Sequence, residues 1–113
     1  MWKEGNLPHN KLLYANEAVV PEDLIEYVVD KQSFLIFAEA LRQDREESDA
    51  IESKNPSSPF NSAALGWNNG SIESFLEAAI AWADDTNFGE LRLKGVSQWR
   101  LFAEFLLAGK QYE

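Results

Sequence analysis

The run Trp67-Asn68-Asn69-Gly70-Ser71-Ile72-Glu73-Ser74-Phe75-Leu76-Glu77-Ala78-Ala79-Ile80-Ala81-Trp82 constrains the fold more than any other stretch. It spells a turn, a helix start and an amphipathic helix in succession. Asn69-Gly70 tolerates positive φ and predicts a tight turn. Ser71 predicts an N-cap, because its hydroxyl can accept a free N–H of the first turn, and Glu73 sets negative charge at the positive end of the dipole. Ile72, Phe75, Leu76, Ala79, Trp82 and Ala83 recur at helical spacing and predict the inner face; Glu73, Ser74 and Glu77 fall opposite. One such helix needs partners to cover it, and the rest of the chain supplies them.

Pro21-Glu22-Asp23 predicts a first helical turn, since proline loses no hydrogen bond there and acids suit the dipole. Residues 25–29 (Ile-Glu-Tyr-Val-Val) also read as a short strand, β-branched and aromatic. Asp30 or Ser33 caps a second helix, with Phe34, Leu35, Phe37, Ala38 and Leu41 as its apolar stripe. Beyond Arg42 the pattern becomes charged, and a polar loop is predicted at about 45–66, with Pro59-Phe60 docking a ring. After Trp82, Asp84-Asp85 ends the central helix, with Asn87 or Gly89 as its left-handed residue. Residues 90–94 alternate briefly, enough for a short strand or hairpin. Ser97 caps a last helix in which Trp99, Leu101, Phe102, Phe105, Leu106 and Ala108 leave only Arg100, Glu104 and Gln111 as a polar stripe. A helix this apolar is wrapped on several sides or forms an interface. The expected fold is mainly α: a single-domain bundle of three to four helices over 21–113, behind an irregular leader at 1–20.

Charge bounds the function. Nineteen acidic against ten basic residues give a net charge of −9. Nucleic-acid and anionic-membrane binding depend on cations that this chain lacks, so neither is expected. A basic protein is the complementary partner, and plain solubility is the alternative use of the charge. No cysteine is present, which removes disulfides, thiolate nucleophiles and Cys-based zinc sites. No apolar run reaches bilayer length and the first residues lack a signal-peptide pattern, so a cytoplasmic protein is expected.

Candidate chemistry is thin. His9, the only histidine, lies in the leader beside Pro8 and reads as solvated. Asp84, Asp85 and Glu90 are the metal-ligand candidates, with Asn87 adding a fourth oxygen. As an EF-hand loop starting at Asp84 the run fails, because Phe88 takes the fifth position and Gly95 the twelfth. Glu73 and Glu77 lie one turn apart on an outward face and read as a solvated stripe. The glycines have no phosphate-cradling spacing. Trp67, Trp82 and Trp99 read as an aromatic core, with an aromatic-lined groove as the alternative.

Trp67-Asn68-Asn69, Phe75-Leu76-Glu77-Ala78, Trp82, Trp99-Arg100-Leu101-Phe102-Ala103 and the closing Tyr112-Glu113 together resemble a family of small bacterial proteins of unknown function. Ser33-Phe34-Leu35, Phe37, Leu41 and Asp44 extend the likeness, which covers roughly 28–113. The resemblance implies a mainly helical domain and brings no activity, ligand or catalytic residue.

Three functions follow as expectations. The first is an acidic protein-binding module for a basic partner, on the pattern of immunity or antitoxin proteins. Its interaction candidates are Glu73, Glu77, Asp84, Asp85 and Trp67. The second is a carboxylate-based metal-binding protein or small enzyme using Asp84, Asp85 and Glu90. The third is a structural homodimer joined through the last helix. No cofactor is expected in the first or third.

Overall fold

A computed structural model of the chain describes residues 20–58, 63–88, 90 and 95–112. The leader with His9, the Pro59-Phe60 docking and residues 91–94 of the short strand predicted at 90–94 lie outside the described residues. The described part is helical: α1 (Pro21–Leu24), α2 (Lys31–Lys54), α3 (Ile72–Asp85) and α4 (Gln98–Gln111).

Pro21 opens α1 with Glu22 and Asp23 in its first turn, as the dipole requires. The chain then tightens into a 3-10 turn over Ile25–Tyr27, which replaces the alternative strand at 25–29. Burial gives the reason. A strand would put Leu24, Glu26 and Val28 on one face, dragging a carboxylate inside. A helical turn sets Leu24 and Val28 together, 0% and 1% exposed, and leaves Glu26 in water.

The start of α2 uses both cap candidates. Asp30 Oδ1 accepts the Ser33 N–H at 2.9 Å, and Ser33 Oγ accepts the Asp30 N–H at 3.0 Å, closing a reciprocal box. Ser33, Phe37, Ala40, Leu41, Asp44 and Ser48 form its buried stripe, and Leu35 is outside. The helix runs on to Lys54, so the polar loop predicted from about 45 begins only after it. Two features hold this charged stretch helical. Ser48 and Asp44 continue the inward face with polar partners, Ser48 Oγ donating to the Ala64 carbonyl at 2.7 Å. On the outer face Arg42 pairs with Glu39 and Glu46, and Arg45 with Asp49, at helical spacings.

After α2 a 3-10 turn over Ala64–Gly66 carries Leu65 at φ +64° and Gly66 at φ +82°. An antiparallel bridge, Ala63 N–H to Trp67 carbonyl at 3.0 Å, closes it and presents Trp67 to the interior. The predicted positive-φ turn at Asn69-Gly70 does not form; neither residue has positive φ. These asparagines instead cap α4. Asn68 donates its backbone N–H to the Lys110 carbonyl and its Nδ2 to that of Gln111, at 3.0 and 2.7 Å. Asn69 Nδ2 donates to the carbonyls of Gly109 and Tyr112, at 3.1 and 2.8 Å. A helix C-terminus leaves four carbonyls without intrahelical donors, and this segment answers them.

Ser71 caps α3 as predicted, its hydroxyl accepting the Ser74 N–H while Ser74 Oγ accepts the Ser71 N–H in return, and Glu73 stands in the first turn. The helix is rotated from its predicted setting. Ala78 and Ala79 are buried, Phe75 and Trp82 are half-buried, and Ile72 and Leu76 are exposed. The cause is α4, against which α3 packs most extensively. The backbone of Gly109 faces the Phe75 ring so closely that an added Cβ would lie 2.8 Å from it. Only a glycine-sized neighbour admits that ring. Ser97 caps α4 and also donates to the Val28 carbonyl at 3.2 Å, tying the helix start to the residue that follows the 3-10 turn. With α3, α2 and the 3-10 turn against it, α4 is covered on several sides, although Phe102 stays exposed. The main core joins Leu24, Val28, Phe37, Ala40, Leu41, Trp67 and Ala103.

Candidate functional site

The most unusual chemistry lies inside. Lys110, in the last turn of α4, is 1% exposed as a residue. Its Nζ donates to Asp44 Oδ2 of α2 at 2.7 Å and to Glu22 Oε2 of α1 at 2.8 Å. Trp67 Nε1 donates to the same Asp44 oxygen at 2.8 Å. Gln111 Nε2 adds a bond to Glu22 at 2.7 Å. The Lys110 ammonium lies 5.6 Å from the centroid of the Trp67 ring, and the Arg45 guanidinium 5.3 Å, both within cation–π range. Phe75 stacks on the same indole at 6.1 Å.

A buried charge survives only if paired and hydrogen-bonded. Here the lysine is held by two carboxylates, and the more buried carboxylate by two donors. The Asp44 and Lys110 side chains keep 3% and 2% of their surface, so no substrate reaches them. The cluster therefore holds α1, α2, α4 and the Trp67 turn in register; it is not an open reaction centre. Asp44 and Lys110 are 66 residues apart, and their pairing is not among the sequence expectations. A usable signal was present, because the buried spacing Ser33, Phe37, Leu41 continues through Asp44 and Ser48.

The residues singled out from the sequence scatter. Trp67 is 5% exposed and belongs to the core, so it offers a partner no surface. Trp99 packs with Phe34 and Phe102, at centroid distances of 5.8 and 5.6 Å. Trp82 is half-buried, with Phe88 edge-on at 5.2 Å, and borders an open recess of about 230 Å³. Glu104, Leu107, Ala108, Gln111 and Tyr112 complete its lining. A single indole thus meets the groove alternative, and the others are packed away.

Asp85 accepts the Tyr112 hydroxyl at 2.7 Å, and that bond holds the phenol's pKa above its ordinary value. Asp84 and Glu90 are exposed. Among the described residues no group of three or more acidic or histidine side chains gathers as metal ligands would. Glu73 and Glu77 are exposed on α3, beside Ile72, Leu76 and Ile80, which are 79%, 46% and 59% exposed. Elsewhere Glu39 is pulled down to about 2 by hydrogen bonds from Arg42 and Gln43, and Glu52 is lowered by those from Ser57 and Ala64.

Residues 30–113 match the family of unknown function DUF7660. The chain belongs to that family. The match begins at the α2 cap and encloses Asp44, the Trp67-Asn68-Asn69 segment and Lys110, the same region as the resemblance read from the residues. No curated protein and no solved structure matches the chain. Among the described residues no helix is long and apolar enough to cross a membrane.

Proposed function

We propose that this domain is a protein-binding module that recognises a basic partner, acting as immunity and antitoxin proteins do. The carrying observation is how the charges are distributed. Of the six described cations, Arg42, Arg45, Arg100 and Lys110 are each engaged in an internal ion pair, and Lys31 and Lys54 are exposed. The exposed carboxylates of Glu26, Glu47, Glu73, Glu77 and Asp84 have no cation against them among the described residues. These unpaired acids face outward, where they accelerate the approach of an oppositely charged surface and repel an acidic one.

The test is capture on the immobilised full chain from cells of its source, with washes at about 0.05 M and about 0.5 M salt, where the screening length falls several-fold. A strongly basic protein retained in the first wash and released in the second is the expected result. Retention of nothing, or of a partner indifferent to salt, refutes the reading.

A further inference from the structure

We infer that the outer face of α3 is the docking surface, and that its occupant is a basic amphipathic helix of another protein. Ile72, Leu76 and Ile80 recur every fourth residue and so form one ridge along the helix, of the kind that beds between the ridges of a second helix. All three are largely exposed, Ile72 at 79%, although the inner face of the same helix is fully engaged with α4. Successive residues turn about 100° around the axis, which places Glu73, Glu77 and Asp84 together on the flank away from the core. The three acids are exposed and pair with no cation among the described residues. An aliphatic ridge bordered on one side by a row of carboxylates fits a helix whose apolar face is bordered on one side by lysines or arginines.

A second copy of the chain fits poorly. Pairing two such ridges antiparallel about a two-fold axis keeps both acidic rows on the same edge, setting Glu73, Glu77 and Asp84 against their own duplicates. It also brings one −9 chain against another.

The inference rests on the basic-partner reading, and its test separates the two. The probe is a dye-labelled synthetic amphipathic helix of leucines and lysines, with a scrambled peptide of identical composition as control. Binding to the full chain is followed by anisotropy at low salt. Ile72→Ser with Ile80→Ser alters the ridge at constant charge. Glu73→Gln with Glu77→Gln removes two charges beside it, and Glu26→Gln with Glu47→Gln removes two elsewhere; circular dichroism checks each fold. The expected result is at least about a tenfold loss for the ridge variant. The Glu73/Glu77 variant should lose at least about fivefold more than the Glu26/Glu47 variant. Equal affinities across all forms, or no preference for the amphipathic over the scrambled peptide, overturn the α3 surface and leave the basic-partner reading to the capture experiment. A native dimer in sedimentation that Ile80→Ser dissociates also overturns it, in favour of a second copy.

Discussion

Neutralising one end of the Asp44–Lys110 pair tests whether the buried cluster holds the fold together. Breaking a buried ion pair from one side costs about 3–5 kcal/mol, because the survivor stays in low dielectric without its counter-charge. Asp44→Asn leaves Lys110 with Glu22, whose side chain keeps 36% of its surface, so water softens the loss and about 3 kcal/mol is expected. Lys110→Met is more severe. It strands the Asp44 carboxylate, 3% exposed, with the Trp67 N–H as its one remaining donor among the described residues, and about 4 kcal/mol is expected. Making both changes removes both charges and should cost no more than the worse single change. Urea unfolding followed by tryptophan fluorescence reads all four proteins, since Trp67 reports on the site itself. At a typical stability of about 5–15 kcal/mol, Lys110→Met leaves little margin and should lower Tm by more than about 10 °C. Single variants costing less than about 1 kcal/mol, or a double variant that merely adds them, would show that the pair is incidental.

Gly109→Ala would ordinarily gain about 1 kcal/mol inside a helix. Here the new Cβ meets a Phe75 ring already stacked on Trp67, so a loss of about 1–3 kcal/mol in the urea midpoint is expected; a stabilised protein would show that the ring swings away freely. Glu52 accepts the N–H groups of Ser57 and Ala64 and the Ser57 hydroxyl, at 2.8, 2.7 and 2.6 Å, and these lower its pKa from 4.5. A depressed carboxylate contributes stability that is present above the unfolded value and is lost as pH falls through the folded one. Glu52→Gln should therefore quicken amide exchange at Ser57 and Ala64 at neutral pH, and that difference should shrink on acidification below about 4.5. Exchange unchanged at neutral pH would show the bonds to be dispensable.

Local signals were legible where they act over one turn. Pro21, Asp30, Ser71 and Ser97 each stand where their chemistry predicts, because a cap satisfies its own neighbours and needs nothing remote. The errors all depend on a distant partner. Ser48 falls within the polar loop predicted from about 45, because its inward role depends on the Ala64 carbonyl, just as that of Asp44 depends on Trp67 and Lys110. Ile72 and Leu76 match an inner stripe by period alone, but the smallness of Gly109 draws Phe75 inward and turns them out. Lys110 at the end of a helix satisfies the dipole argument equally well in solvent, so its sequence context does not reveal its burial.

The same distinction separates what the family likeness carries from what it leaves open. Asp44 and Trp67 lie 23 residues apart, Asp44 and Lys110 66 apart, and all three fall within the matched 30–113. A motif such as Trp67-Asn68-Asn69 with a closing Tyr112 looks like a binding signature in sequence. In the fold, its indole clamps a buried aspartate and its amides cap α4. Those roles are met entirely within the chain, so matching them specifies a scaffold and no ligand. The residues left facing outward, Ile72, Glu73, Leu76, Glu77, Ile80 and Asp84, owe little to internal packing. An exposed aliphatic row costs free energy in water, and covering it recovers that cost. That term is available to association after folding is complete, and it lies beside Glu73, Glu77 and Asp84, which pair with no cation among the described residues.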